Sequence, residues 1–202
     1  LDKKMLVITG GPGTGKTTII NAILRIYKRT GQSVMLAAPT GRAAKRMSEA
    51  SGFEAKTIHR MLEYSPKNGG FKKNENNRLD ADLIVIDEAS MVDTILMYQL
   101  LKAIPERTTL ILAGDIDQLP SVGAGNVLKD IIDSGSVPVV TLNEIFRQSR
   151  ESLIIINAHK INKGEFPVIS SNRDTLQDFY FIELEDPEKV AEKIIDMCSK
   201  RI

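Results

Sequence analysis

A glycine-rich stretch near the start of the chain has the residue types and the spacing of a phosphate-binding loop. Residues 10–17 read GGPGTGKT and lie between the apolar segment Met5–Thr9 and a segment with helical periodicity, as that pattern requires. Glycines let backbone N–H groups converge on phosphate oxygens, and the start of the next helix adds positive potential. Lys16 is a mobile charge for the β- and γ-phosphates, and the Thr17 hydroxyl is placed to coordinate Mg²⁺. The predicted nucleotide-binding residues are Gly10, Gly11, Pro12, Gly13, Thr14, Gly15, Lys16, Thr17 and Thr18.

Two carboxylates follow a second apolar run. The letters LIVI are followed directly by Asp87 and Glu88. If this run is a central strand, Asp87 emerges at its carboxyl end, beside the phosphate loop. Magnesium prefers oxygen ligands and keeps several waters, so one carboxylate is enough, and Thr17 and Asp87 are the predicted metal ligands. Glu88 is placed to accept a proton from the attacking water or to orient it.

A third apolar run ends in a carboxylate and an amide. The stretch LAGDIDQLPSVGAGN, Leu112–Asn126, carries Asp115 and then Gln118, and its spacing alone gives the amide no role. The guanine-recognition segment N-K-x-D that small GTPases usually carry is absent from the sequence. ATP, or a nucleotide bound with loose base selectivity, is therefore favoured.

The elements that must position these residues alternate along the chain. Segments that are apolar throughout alternate with helical segments, which predicts an α/β fold with a parallel sheet covered on both faces. In the helix after the phosphate loop, Ile19, Ile23, Ile26 and Tyr27 form the predicted buried stripe. Ser90 with Asp93 suits a capping box for a later helix. The predicted strands are Met5–Thr9, Val34–Ala38, Asp82–Glu88, Thr108–Asp115 and Val137–Leu142, and residues 65–80 are a predicted exposed loop or hairpin insertion.

Composition places the chain among globular proteins of a reducing compartment. It has 202 residues, 42% of them hydrophobic and 26% charged, which favours one domain. The single Cys198 cannot form an internal disulfide, and no apolar run approaches the ~20 residues that span a bilayer. A cytoplasmic location without membrane contact is expected. The net charge of +1 argues neither for nor against nucleic acid, because clustering matters there.

Six segments, in order, carry a family resemblance. They are GGPGTGKTT, APTGRAAKRMSE, TIHRML, VIDEASMVD, LAGDIDQLPSVGAGNVL and EIFRQSRESLIIINAHKINKG. Together they resemble the first motor domain of superfamily 1 DNA helicases of the RecD/TraA family, over roughly residues 5–164. The resemblance implies a RecA-like P-loop NTPase fold, a three-layer sandwich with a mainly parallel sheet. It also implies ATP and Mg²⁺ as cofactors and an ATP-dependent DNA helicase as the enzyme.

The same resemblance implies catalytic roles. Lys16 binds phosphate, Asp87 holds the metal and Glu88 acts as the catalytic base. Gln118 senses the γ-phosphate, and Arg147 touches it as an internal arginine finger, a role that suits a permanently charged fork.

Single-stranded DNA is the implied polymer partner. The residues that would face it are Pro39, Thr40, Gly41, Arg42, Thr57, His59 and Arg60. Hydroxyls and backbone N–H groups bond phosphate oxygens, and the arginines add clustered positive charge. His59 either contacts the strand or satisfies a buried carbonyl, and the sequence leaves both open. Lys45 and Arg46 are predicted to be solvated charges of a helix face.

The resemblance also bears on direction and on the whole protein. Helicases that track 3′→5′ usually carry a tryptophan after the sensing glutamine, and this chain has none, which favours 5′→3′ movement. Residues 1–202 are expected to be a single motor domain, a fragment of a larger helicase that lacks its second motor domain and has little activity alone. The alternatives are the helicase segment of a conjugative relaxase, an exodeoxyribonuclease V alpha subunit with RecB/RecC-like partners, and a non-hydrolysing nucleotide-dependent DNA-binding module.

Overall fold

The computed structural model describes residues 4–68, 70–144, 152–169 and 178–200. The chain divides into two compact units, residues 1–149 and residues 150–202. The single motor domain expected over residues 1–202 stays a prediction. Among the described residues, no helix has both the length and the apolar character needed to cross a membrane.

A six-stranded parallel sheet forms the centre of the first unit. Its spatial order is β3-β2-β6-β7-β1-β8, and every neighbouring pair is parallel. The sequence predicted five of these strands, and the sixth, β3, is a three-residue edge strand that is too short to show a period. The sheet strands are β1 (Met5–Gly10), β2 (Val34–Ala38), β3 (Ala55–Thr57), β6 (Leu83–Ile86), β7 (Thr109–Gly114) and β8 (Val139–Leu142).

Helices cover both faces of this sheet. They are α1 (Lys16–Arg29), α2 (Gly41–Ser51), α3 (Ile58–Met61), α4 (Thr94–Ala103) and α5 (Val127–Asp133). Alternate residues of β6 show the layering, because side chains along a strand point to opposite faces. Ile84 and Ile86 belong to the apolar cluster that holds α3, α4 and α5, whereas Leu83 and Val85 belong to the cluster that holds α1 and α2. The predicted three-layer α/β sandwich is confirmed.

Side-chain caps fix where two of these helices begin. The Thr40 hydroxyl accepts a hydrogen bond from the Ala43 N–H at 3.2 Å and starts α2. Asp93 accepts from the Leu96 N–H at 2.7 Å and starts α4. The predicted capping box with Ser90 as the cap is therefore wrong. Ser90 lies instead in a short 3-10 turn that comes before α4.

A short antiparallel hairpin lies between α3 and β6. Its strands are β4 (Tyr64–Ser65) and β5 (Gly70–Phe71). A tight turn follows, in which Asn74 and Asn77 bridge. Leu79 then anchors the segment, because its side chain is buried and its N–H donates to the Ala103 carbonyl at 2.8 Å.

The second unit contains two described helices, α6 (Leu153–Asn162) and α7 (Pro187–Ser199). Asn157 of α6 is buried, and its amide bonds both the N–H and the carbonyl of Val168, at 2.7 and 3.0 Å. The Asp178 carboxylate holds the start of α6 through the Leu153 N–H at 2.9 Å.

Candidate active site

One cleft is lined by most of the residues that the sequence predicted to bind or hydrolyse nucleotide, but not by Gly10 or Gly11. Strands β6, β7 and β1 are neighbours and parallel, so the segments that follow them meet at one edge of the sheet. There they form a cleft of about 870 Å³. Its lining comprises Pro12, Gly13, Thr14, Gly15, Lys16, Thr17, Thr18, Arg46, Met47, Ala50, Asp87, Glu88 and Gln118.

Glycine is required at the last residue of β1 and at the last residue of the loop that follows it. Gly15 precedes α1 with φ 87°, in the left-handed region that favours glycine. At Gly10 a Cβ would lie 2.6 Å from the Leu142 carbonyl oxygen and 2.8 Å from Thr14 Oγ1. The Thr14 hydroxyl is itself buried and donates to the Gly11 carbonyl at 2.9 Å. The sequence therefore fixes a tight loop at the N-terminus of α1, where backbone N–H groups favour anions.

Lys16 lies across this loop. Its ammonium donates to the carbonyls of Gly10 and Gly11, the latter at 3.0 Å. The ammonium is partly buried, and Thr17 lines the same cleft. The loop thus offers one cation and one hydroxyl beside the carboxylates of Asp87 and Glu88.

Asp87 is held at the end of β6 by its own backbone and by the next residue. Its N–H donates to the Ala37 carbonyl at 3.0 Å, and its Oδ1 accepts from the Glu88 N–H at 2.9 Å. Burial raises the pKa of the Asp87 carboxyl, while the Glu88 N–H opposes that rise. A carboxylate that is desolvated in this way is a good partner for a cation. Because Thr17 shares the cleft, the pair offers the hard oxygen ligands that fit Mg²⁺.

Glu88 has an unusual backbone and a cationic partner. Its φ of 52° and ψ of 41° are left-handed, a conformation that a residue other than glycine rarely adopts and that is common at functional sites. Its side chain is 15% exposed, and Oε1 accepts a hydrogen bond from Arg46 Nη2. Arg46 was predicted to be a solvated charge, and it is 67% exposed, but it also reaches into the cleft.

Gln118 stands on the turn after β7. Its N–H donates to the Asp115 carbonyl at 3.3 Å, and its side chain is exposed at the mouth of the cleft. Asp115 is buried and accepts from the Asp117 N–H at 3.1 Å. The turn therefore presents the Gln118 amide, which can both donate and accept hydrogen bonds, in the same cleft as Lys16 and the carboxylates.

A second cleft, of about 530 Å³, adjoins the first. The two share Arg46, Glu88 and Gln118. Of the residues predicted to face DNA, Thr40 and Arg42 line this second cleft. Its remaining lining is Ala43, Lys45, Glu49 and Met91.

The other predicted DNA-facing residues line neither cleft. Pro39 is partly buried and Gly41 is exposed. Thr57 caps α3 by accepting from the Arg60 N–H at 3.2 Å. His59 is exposed, and its ring lies 5.5 Å from that of Tyr64 and 5.6 Å from that of Phe71. Exposure argues against the alternative in which His59 satisfies a buried carbonyl. Arg147 lies outside the described residues.

The fold and this cleft define a RecA-like P-loop nucleotide-binding domain. The sequence pattern of the AAA domain family matches residues 1–124. The chain belongs to that family.

Similar proteins include a DNA helicase and a RecBCD enzyme subunit. The chain is 39% identical over 175 residues to the ATP-dependent RecD2 DNA helicase of Deinococcus radiodurans, covering 87% of this chain and 24% of that protein. It is 36% identical over 213 residues to the RecBCD enzyme subunit RecD of Mycobacterium tuberculosis (strain H37Rv), covering 93% and 37%. The chain thus spans well under half the length of either relative. The predicted resemblance to RecD-type helicases is confirmed.

A solved structure shares the fold. The crystal structure of the Pif1 helicase from Candida albicans superposes with a TM-score of 0.54 at 24% identity, over 81% of this chain and 41% of that one. At this identity the likeness shows the fold alone, and it confirms the predicted RecA-like class.

Proposed function

We propose that the chain is the first motor domain of an ATP-dependent DNA helicase, which couples ATP hydrolysis to movement along single-stranded DNA. The observation that carries the proposal is the single cleft in which Lys16, Asp87, Glu88 and Gln118 meet from three neighbouring strands. The RecD2 relative, named an ATP-dependent DNA helicase, supports the choice of activity.

Each candidate site residue has its own role in the proposed hydrolysis. The loop N–H groups and Lys16 bind the phosphates. Thr17 and Asp87 would hold Mg²⁺, which when bound would neutralise charge on the phosphate oxygens. Glu88 accepts a proton from water as the water oxygen bonds to the γ-phosphorus and the bond to the ADP oxygen breaks. Gln118 hydrogen-bonds the γ-phosphate, and Arg147 supplies further positive charge to it.

Single-stranded DNA is the proposed polymer substrate. The cleft of Thr40 and Arg42 adjoins the nucleotide cleft, so a strand bound there lies next to Glu88 and Gln118. Thr57, His59 and Arg60 extend the proposed path along the surface. The proposal also includes movement 5′→3′, a second motor domain in the same protein, and weak activity of residues 1–202 alone. RecB/RecC-like partners belong to the exodeoxyribonuclease V alpha alternative.

The rival from another class is a DNA-binding module that binds nucleotide without hydrolysing it. Glu88 and Gln118 favour hydrolysis, because both lie in the same cleft as the phosphate loop, where binding alone needs neither. A conjugative relaxase segment and an exodeoxyribonuclease V alpha subunit share the motor chemistry and differ in partners.

The test is ATP turnover by the full-length protein with and without single-stranded DNA. DNA should stimulate turnover, and Glu88→Gln and Lys16→Ala should each abolish the stimulated rate. Unchanged turnover in both variants refutes the assignment. Binding of ATP and DNA by the wild type without turnover establishes the rival. Duplexes with a 5′ or a 3′ tail then decide direction, with the 5′ tail expected to be unwound.

A further inference from the structure

The ion pair between Arg46 and Glu88 joins the two clefts. Arg46 Nη2 donates to Glu88 Oε1, and both residues line the nucleotide cleft and the second cleft. The Glu88 side chain is 15% exposed, whereas that of Arg46 is 67% exposed. One end of the pair is thus enclosed beside the phosphate loop, and the other faces solvent.

The pair engages one of the two carboxylate oxygens of the proposed catalytic base. A carboxylate that accepts a charge-assisted hydrogen bond from a guanidinium holds it strongly and in a defined direction. The hydrogen bond at Oε1 holds the carboxylate in one orientation, which restricts how it can turn toward water at the γ-phosphate. As long as Arg46 stays in place, Glu88 is restrained as a base.

Arg46 is the partner that can move. The Glu88 backbone is fixed by its neighbours, because its N–H donates to Asp87 Oδ1 at 2.9 Å and its carbonyl accepts from the Met91 N–H at 3.0 Å. Arg46 has a long side chain on α2 that is mostly exposed, so it can turn toward solvent while the Glu88 backbone stays in place.

A competing anion has a place beside Arg46. Arg42 lies one helical turn earlier on α2, and together with Thr40 and Lys45 it lines the second cleft. Three cations line that cleft, against the carboxylates Glu49 and Glu88. A phosphodiester offers a guanidinium the same two-oxygen geometry as a carboxylate. A strand that enters this cleft therefore competes with Glu88 for Arg46.

We propose that Arg46 is a DNA-sensing latch on the catalytic base. Without DNA it holds Glu88, and a phosphate of single-stranded DNA in the second cleft draws it away and frees the carboxylate for water. This inference rests on the proposed function, in which Glu88 is the base and DNA occupies that cleft. It supplies a physical reason for DNA-stimulated hydrolysis, since DNA binding and release of Glu88 become coupled.

The test compares full-length wild type with Arg46→Gln. Turnover of ATP without DNA should rise about 5-fold or more in the variant, while the KM for ATP stays unchanged and stimulation by DNA shrinks. Arg107→Gln is the matched control, because Arg107 is 66% exposed and pairs with the Asp80 carboxylate at 2.5 Å, away from either cleft. That variant should keep the wild-type stimulation.

Reciprocity gives a second readout that needs no hydrolysis. If Arg46 must leave Glu88 before it can bind a phosphate, Glu88→Gln should tighten the binding of single-stranded DNA to the nucleotide-free protein, by about 5-fold or more. Arg46→Gln should weaken that binding, and adding Glu88→Gln to it should produce no tightening.

The outcomes separate this inference from the proposed function. If the wild type neither hydrolyses ATP nor responds to DNA, the proposed function fails. If the wild type is stimulated but Arg46→Gln leaves the DNA-free rate unchanged, the latch is refuted. Loss of turnover in Arg46→Gln, with and without DNA, also refutes it and makes Arg46 a positioning residue for Glu88.

Discussion

Gly123 lies so close to Asp93 that a Cβ atom at position 123 would stand 2.7 Å from Asp93 Cγ. The same loop accepts the Thr94 N–H at the Ala124 carbonyl, at 3.0 Å. The loop after Gln118 is therefore packed on the N-terminus of α4, the helix that follows Glu88 and its 3-10 turn. The segments that bring Glu88 and Gln118 to the cleft are therefore in contact at Asp93 and Gly123, which do not line the cleft.

Gly123→Ala should break this junction. The added methyl group displaces either the loop or the Asp93 side chain, which caps α4 through the Leu96 N–H. Loss of a cap costs about 1 kcal/mol, so the midpoint of thermal unfolding should fall. Gly41→Ala is the control for stability, since a Cβ there meets nothing within 4 Å. Equal unfolding midpoints for the two variants would show that the loop does not press on α4.

Gln118→Ala should damage unwinding at least as much as nucleotide binding. The Gln118 amide lies on an exposed turn at the mouth of the cleft. In the proposed function it contributes to nucleotide binding, but the cleft does not enclose it. Its loop continues to the contact with α4, so loss of the proposed hydrogen bond to the γ-phosphate should uncouple that loop from hydrolysis. Nucleotide affinity and unwinding rate are measured on the same preparation. Normal unwinding by the variant would return this stretch to an ordinary strand-to-helix loop.

Arg42→Gln should lower the salt dependence of DNA binding. Arg42 lines the second cleft and in the proposed function it contacts one phosphate. Removing one such contact should reduce the slope of log affinity against log salt by about 0.7, the value for one phosphate of a single strand, with the loss of affinity similar for all sequences. Fluorescence titrations with a labelled single strand from 50 to 200 mM salt measure the slope. An unchanged slope places DNA elsewhere.

The arrangement of the site was accessible from sequence because strand ends control it. Apolar runs followed by Asp87 or Gln118 predict which strand ends carry functional side chains. The order of strands in the sheet brings those ends together. The salt bridge of Arg46 to Glu88 was missed, since its two residues are far apart in sequence and periodicity carries no information on such pairs. The order of the strands does indicate the contact, because α2 follows β2 and β2 is the neighbour of β6. The start of α2 therefore lies near Glu88, which follows β6.

The buried stripe of α1 shows a second limit. Ile19, Ile23, Ile26 and Tyr27 were predicted to be buried, but Ile26 is 60% exposed. The residues that the helix buries fully are Ile20 and Leu24. Several apolar stripes are available on a helix this rich in isoleucine, and contact with the sheet, which no local pattern records, chooses among them.

Leu112→Ala tests how much the central strand contributes to stability. Leu112 of β7 has no exposed surface and lies in the cluster of α3, α4 and α5. Truncation in a packed core should lower the free energy of unfolding by about 2–5 kcal/mol. Leu119→Ala is the matched control, since Leu119 is 87% exposed and the same truncation there should change it little. Urea unfolding measures both, and a small loss at Leu112 would mean that the core collapses around the gap.

Asp82 lies at the end of the sheet opposite the cleft, and it should make the stability of the fold depend on pH. Its Oδ2 accepts from the Ser33 N–H at 2.8 Å and from the Ser33 hydroxyl at 2.9 Å, across the starts of β6 and β2. These two hydrogen bonds, the N–H first, hold the pKa of the carboxyl below its usual value of 3.8. A carboxyl with a depressed folded pKa stabilises the fold above its unfolded pKa, and this contribution is lost as the pH falls through the folded value.

Asp82→Ala should therefore unfold at a lower temperature than wild type at pH 7, and the gap should narrow as the pH falls below about 3.8. Asp82→Asn keeps a carbonyl acceptor but no charge, so its unfolding midpoint should lie between the two and its gap to Asp82→Ala should not change with pH. Thermal unfolding from pH 7 to pH 3 follows all three proteins. A gap between wild type and Asp82→Ala that stays constant across this range would mean that the Asp82 charge adds nothing to the bond with Ser33, and that only the acceptor oxygen matters.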